Sequence, residues 1–199
     1  MLEELFNLVK NVASDSVVNN PEVPNEKNNE VIAEATNTVA SGLRNMVAGG
    51  GLQNLVSLFK GNNHSQSGNG LLNNPIVNMM IGHLAGKLMS KHNLGSSEAN
   101  SVSSNLIPGV ISGLVNKAND PNNAGVSLDG LLNSITGGKA AEVASQQPGG
   151  NLSDLLGSLS GGSGGGLMDI ISKLAGGAQE QQQRNGGGGL MDLIKGFIK

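Results

Sequence analysis

Three histidines, His64, His83 and His92, are the nitrogen donors from which a metal site could be built, and such a site needs two or three of them converging with carboxylates. His83 and His92 stand on one predicted helix but on different turns, pointing apart, so they are not expected to share an ion. His64 lies in the polar run Gly61-Asn62-Asn63-His64-Ser65-Gln66-Ser67-Gly68-Asn69-Gly70 and should be solvated. His83 is expected to be solvated or partly buried without a ligand role, and His92 to decorate a helix end, where a cation suits the dipole. Serine is plentiful, but a nucleophile needs a base and an orienting acid. Ser163, within Gly161-Gly162-Ser163-Gly164-Gly165, lacks the preceding strand of a nucleophile elbow and reads as linker. The glycine runs do not make a phosphate cradle, because Gly137-Gly138-Lys139 continues with Ala140 rather than Ser or Thr. Glu3 and Glu4 are neighbours at a helix start, where the exposed amides favour acids, and no acid-base role is needed to explain them. The expectation is a protein with no catalytic residues, no metal and no cofactor.

Composition narrows the partners in the same direction. Of 199 residues 37% are hydrophobic, yet there are only 3 Phe, no Trp and no Tyr, so the apolar mass is aliphatic. Base stacking has no aromatic faces to use, and 12 Lys and Arg spread along the chain give no phosphate footprint. Nucleic acid is therefore not an expected partner, nor is any small-molecule substrate evident. Charged residues make up 14% and the net charge is -3, with -4 in the first thirty residues and +1 in the rest, a weak repulsion that favours self-association. The lack of cysteine excludes a disulfide framework and thiolate chemistry. The acidic start Met1-Leu2-Glu3-Glu4-Leu5-Phe6 does not look like a secretory signal. The most apolar stretch, Ile76 to Met89, is broken by Asn78, His83 and Lys87, too short to span a bilayer. A cytoplasmic, soluble protein is expected.

The elements that would position these side chains follow from one recurring spacing. Leu2, Leu5, Phe6 and Val9 occupy i, i+3, i+4 and i+7, a single apolar stripe on a helix. The offsets return at Leu52, Leu55, Val56 and Phe59; at Leu128, Leu131, Leu132 and Ile135; and at Leu152, Leu155, Leu156 and Leu159. They return again at Leu167, Ile170, Ile171 and Leu174, and at Leu190, Leu193, Ile194 and Phe197. Glycine runs at 49–51, 149–150, 164–166 and 186–189 precede four of these cassettes and predict soft hinges between short rods. A rod of two to three turns is too short to persist alone in water, so each cassette must find a surface to cover it.

Longer helices are expected over residues 2 to about 18, ending at Asn19-Asn20-Pro21, and over 26 to about 48, ending at Gly49. Asn74 as cap and Pro75 at the first helical position predict a helix from 75 to about 92. Ser96 or Ser97 begins another that runs to Asn119, interrupted at Pro108, with a kink expected near residues 104 to 108 because proline removes a backbone donor. Each of the last two holds a glycine pair four apart, Gly82 with Gly86 and Gly109 with Gly113, permitting close backbone approach. The predicted organisation is all-α: a helical unit at 1–60, a polar linker at 61–71, a second helical unit at 72–140, and a glycine-hinged tail at 141–199 with three amphipathic cassettes.

The segment Pro75 to Lys117, with its apolar helix, His92-Asn93-Leu94-Gly95-Ser96-Ser97-Glu98-Ala99 and Leu106-Ile107-Pro108-Gly109-Val110, resembles the helical core of the YidB-like, glycine- and leucine-rich family of uncharacterised bacterial proteins. The opening Met1-Leu2-Glu3-Glu4-Leu5, with Asn19-Asn20-Pro21 and Pro24-Asn25, resembles members with an added N-terminal helical unit. The resemblance covers about the first 140 residues and implies a bacterial, all-helical protein with no catalytic residues to carry over.

The cassettes could pack on the chain's own core, dock on neighbouring copies to build a homo-oligomer or filament, or lie on a membrane surface. Self-assembly through the tail stripes Leu152, Leu155, Leu156, Leu159, Leu167, Ile170, Ile171, Leu174, Leu190, Leu193, Ile194 and Phe197 is the functional expectation. The membrane alternative rests on Leu190, Met191, Leu193, Ile194, Phe197 and Ile198 beside Lys195 and Lys199. Against it stand Asp169, Asp192 and the scarcity of cations.

Overall fold

The computed structural model describes residues 2–20, 23–60, 71–120, 127–146 and 167–184. Among them every regular element is a helix, and the fold is all-α. Helix α1 spans Leu2–Ala13 and passes into a π-helical turn, Ser14–Val18, so the expected first helix keeps its length and changes its winding. A short 3-10 turn, Asn25–Lys27, leads into α2, Asn28–Ala48. Then follow α3, Leu52–Lys60; α4, Pro75–His92; α5, Ser96–Asn119; α6, Leu128–Ile135; α7, Lys139–Ser145; and α8, Leu167–Arg184. No described helix is long and apolar enough to cross a membrane.

Local chemistry sets the boundaries. The Asn74 side chain accepts a hydrogen bond from the Ile76 amide at 2.9 Å, with Pro75 as the first helical residue, so α4 begins where a free donor most needs a partner. It ends at Asn93, whose φ of 51° turns the chain left-handed and lets the Leu94 amide reach back to the Leu88 carbonyl at 3.2 Å. Ser127 caps α6 by accepting from the Gly130 amide at 3.0 Å. Thr136 joins α6 to α7: its hydroxyl donates to the Leu132 carbonyl and accepts from the Ala140 amide.

The described chain divides into two compact units that do not follow the expected sequence-order division into 1–60 and 72–140. One draws on residues 2–42 and 71–117; the other on 43–60, 118–120, 127–146 and 167–184. The reason is in the pairing of stripes: a long helix with apolar residues along its whole length finds its cover wherever a complementary face exists, not in the next segment of sequence. In the first unit Leu5, Phe6 and Val9 of α1, Val31, Ile32 and Val39 of α2, Leu84 and Leu88 of α4, and Leu106, Ile107 and Ile111 of α5 are all buried. In the second, Leu52, Leu55 and Phe59 of α3, Leu132 of α6 and Leu174 of α8 form the core, and α6, α7 and α8 pack on one another. Of the expected linker 61–71, residues 61–70 lie outside the described residues, and Leu71 is buried.

Three further expectations are corrected. Gly49 to Gly51 form an ordered turn rather than a soft hinge: Gly50 has φ 80°, and the Gly51 amide bonds to the Met46 carbonyl at 2.8 Å. Helix α5 runs through Pro108 without interruption, and Pro108 is itself buried among Leu106, Ile107, Val110 and Ile111. Packing of that apolar face offsets the lost backbone bond. The cassette beginning at Leu167 continues for 18 residues, well beyond a two-turn rod.

Candidate functional site

The most concentrated chemistry among the described residues lies in the first unit, where the start of α2 meets the end of α4. Glu34 is fully buried, and its carboxylate lies 2.7 Å from Lys87 Nζ and 3.6 Å from Lys91 Nζ. His92, only 9% exposed, places Nδ1 3.0 Å from Glu30 and Nε2 3.9 Å from Glu34. Lys27 donates to the His92 carbonyl, at the end of α4. The arrangement follows from helix electrostatics. Acids in the early turns of α2 and bases in the last turns of α4 each sit at the dipole end that favours them, and joining the two ends pairs opposite charges.

Burial raises the pKa of the Glu34 carboxyl, but the hydrogen bond from Lys87 and the charges of Lys87, Lys91 and His92 outweigh it, holding the group below its ordinary 4.5. Glu34 therefore stays ionised at neutral pH and locks two helices together. No group of three His, Asp or Glu side chains placed to hold a metal ion occurs among the described residues. The chemistry of Glu34 is that of an internal clamp. The sequence reading placed His92 at a helix end, which is where it stands, but missed the carboxylates that face it. Only the fold brings residues 30 and 34 to residues 87 to 92.

The outer side of α4 presents a different surface. Met79 is 67% exposed and Met89 38%, and a side chain added at Gly82 or Gly86 would meet nothing of the described chain within 4 Å. His83 is exposed on the edge of the same face. Partial burial, and then the nearby Lys87 charge, push its pKa below the usual histidine value. His83 and His92 stand apart, as the spacing requires, and His64 lies outside the described residues.

In the second unit a cavity of about 200 Å3 between α7 and α8 is lined by Lys139, Glu142, Val143, Lys173 and Glu180. Lys139 is already paired with Glu142 at 2.8 Å and Lys173 with Asp169 at 2.9 Å, so the lining neutralises itself in solvent. Arg44, 7% exposed, is the other charge the sequence did not single out. Burial lowers its pKa, and Nε has no hydrogen-bond partner.

The expected assembly residues divide sharply. Ile170 and Leu174 of α8 are buried in the second unit and Ile171 is half-buried, so this cassette covers the chain's own core. Leu167 is the first residue of α8. Leu152, Leu155, Leu156, Leu159, Leu190, Leu193, Ile194 and Phe197 lie outside the described residues. The earlier cassettes are seated in the same way: Leu5, Phe6 and Val9, then Leu52, Leu55, Val56 and Phe59, then Leu131, Leu132 and Ile135 are buried. No family model, curated protein or solved structure matches this chain.

Proposed function

We propose that this chain is a non-enzymatic structural protein of the bacterial cytoplasm that associates with copies of itself through repeated amphipathic helices. The observation that carries the reading is the seating of the cassettes. In three of the four described copies at least three stripe residues are buried, and in the fourth Ile170 and Leu174 are, so the pattern acts as a packing module. The two remaining copies, 152–159 and 190–197, carry the same spacing. The charged side chains pair within each unit, Glu34 with Lys87 and Lys91 as a buried clamp and Lys139 with Glu142 and Lys173 with Asp169 at the surface. The YidB-like affiliation belongs to the same proposal and is supported by the segment Pro75 to Lys117 with His92-Asn93-Leu94-Gly95 and Leu106-Ile107-Pro108-Gly109-Val110.

Light scattering of the full chain across a concentration series tests the reading, alongside a variant carrying Leu155→Asp and Leu193→Asp. The natural chain is expected to exceed the 20.2 kDa of one copy, and the variant to shift toward that mass with unchanged helical content. A natural chain that remains at one copy throughout would overturn the proposal. Sedimentation with anionic vesicles, without association in their absence, would point instead to the lipid surface through 190–199.

A further inference from the structure

With no Cys, Trp or Tyr in the chain, the 7 methionines are its most readily oxidised side chains. Those whose side chains are described fall into two classes. Met79 is 67% exposed and Met89 38%, both on α4, whereas Met80 is 3% exposed and Met46 8%. Met79 and Met80 are neighbours in sequence and differ only in the direction the helix gives them, about 100° apart. Met80 turns inward and fills a socket left by a missing side chain. Its Cγ, Sδ and Cε stand 2.5 to 2.9 Å from where a β-carbon of Gly42 would be. Met46 is seated in the same manner in the second unit, with Cγ 3.1 Å from the corresponding point at Gly51.

We propose that Met79 and Met89 are reversible oxidation sites for peroxide, and that the fold shields Met80, whose oxidation would undo the packing of α4 on α2. The inference is independent of the self-association reading. The step is a two-electron oxidation of sulfur. A thioether lone pair forms the new S–O bond as the O–O bond of peroxide breaks, and the departing hydroxide takes the proton from the oxygen now on sulfur. One peroxide thus yields one sulfoxide and one water.

The two classes meet the product differently. Water can solvate the new oxygen on Met79 and Met89, so the outer side of α4 changes from apolar to polar while the Glu34 clamp behind it is untouched. At Met80 the socket is already filled to contact, so an added oxygen overpacks it and places a strong dipole out of reach of water. Reversal follows the same division. Sulfoxide reductases must reach the side chain, and each of the two enzymes handles one epimer at sulfur. Both exposed sites are open to them in the folded chain, and Met80 is not.

The test is a time course of the full-length chain in dilute hydrogen peroxide, with sulfoxide at each methionine read by peptide mass spectrometry. Met79 is expected to react first and Met89 next. Met80 and Met46 should be at least about tenfold slower than Met79, because they react only when the fold opens. In concentrated urea the four rates should converge. The melting temperature should hold while only Met79 and Met89 are oxidised and fall as Met80 sulfoxide accumulates. Adding both epimer-specific reductases to the early product should restore the two exposed thioethers. Equal rates at Met79 and Met80 in plain buffer would overturn the proposal, and so would a fall in melting temperature that tracks Met79. Met80→Leu keeps the volume of the socket filling and removes its sulfur. It should leave the rates at Met79 and Met89 unchanged and blunt the late loss of structure. A late loss as large as that of the natural chain would overturn the role given to Met80.

Discussion

Helices α4 and α5 lie in the same unit and carry the same glycine spacing, Gly82 with Gly86 and Gly109 with Gly113, yet they use it differently. On α5 the pair is filled: β-carbons added there would stand 2.7 Å from Val12 and 2.9 Å from Leu8. On α4 nothing of the described chain approaches the pair. A small-residue pair thus marks where a helix can be approached closely, and the apolar stripe opposite decides whether it is. Helix α1 offers such a stripe, with Leu5, Leu8 and Val9 buried as it packs. The α4 glycines instead lie between exposed methionines.

The difference depends on how the other side of α4 is held, and the largest effect is expected there. Glu34→Ala removes the carboxylate that draws Lys87 inward, stranding a largely buried ammonium, and should cost about 3 kcal/mol in denaturant unfolding. It should also release a positive charge toward the open face. The same carboxylate gives the fold an acid limit. Because its pKa is lower folded than unfolded, the stability it contributes is present above about pH 4.5 and lost as the pH falls through the folded value. The natural chain should therefore lose stability steeply below pH 4.5. The variant, already weaker, should lose less over the same interval, and parallel unfolding curves from pH 3 to 7 would contradict the assignment.

Placing leucine at the two pairs in turn separates a filled seat from an open one. Gly113→Leu must displace Leu8 from the α1 crossing and should destabilise by about 1 to 3 kcal/mol. Gly86→Leu should leave stability unchanged or slightly raised. Equal losses at both sites would mean that the α4 face is covered within the chain. Gly177 sharpens the point. A β-carbon there would meet the Thr136 carbonyl at 2.5 Å, a backbone atom that cannot rotate aside, so Gly177→Ala should cost about 1 to 2 kcal/mol. The adjacent Gly176, with nothing of the described chain within 4 Å of an added β-carbon, should tolerate alanine.

What the sequence made legible is the part governed by neighbours along the chain. The Asn74 cap, Pro75 start and Asn93 stop of α4, and the span of α5, follow from local chemistry and stand where the residues place them. Helix α7 was missed because Lys139–Ser145 is too short to show a period, and its start is set by Gly137 and Gly138 at φ 63° and 92°. The division into units was illegible for another reason. Residues 28–42 pack with 71–117 through complementary faces, and no periodicity names the partner of a stripe. The Glu34 clamp is hidden in the same way, since acids at 30 and 34 and bases at 87 and 91 each look like ordinary solvated helix charges until the two helix ends meet. The run Gly49 to Gly51 misled because glycine permits a hinge and a tight turn equally; the bonds around Gly50 decide for the turn.

The smallest expected effect is the one that tests most directly why glycine is present on α4. In an exposed helix interior, glycine is less favourable than alanine by about 0.5 to 1 kcal/mol, because it has more backbone freedom to lose. Nothing within the described chain needs the space at Gly82 or Gly86, so Gly82→Ala should raise stability by that amount, and Gly82→Ala with Gly86→Ala by up to about twice it. At Gly109 the same gain is opposed by the approach of Val12, and the net change should be near zero. A stabilisation at α4 that is absent at α5 would mean that α4 forgoes intrinsic stability to keep its outer face smooth. That is the cost expected of a surface shaped for contact with something other than its own unit. If alanine destabilises α4 as well, the glycines serve the internal fold, and the contrast between the two helices disappears.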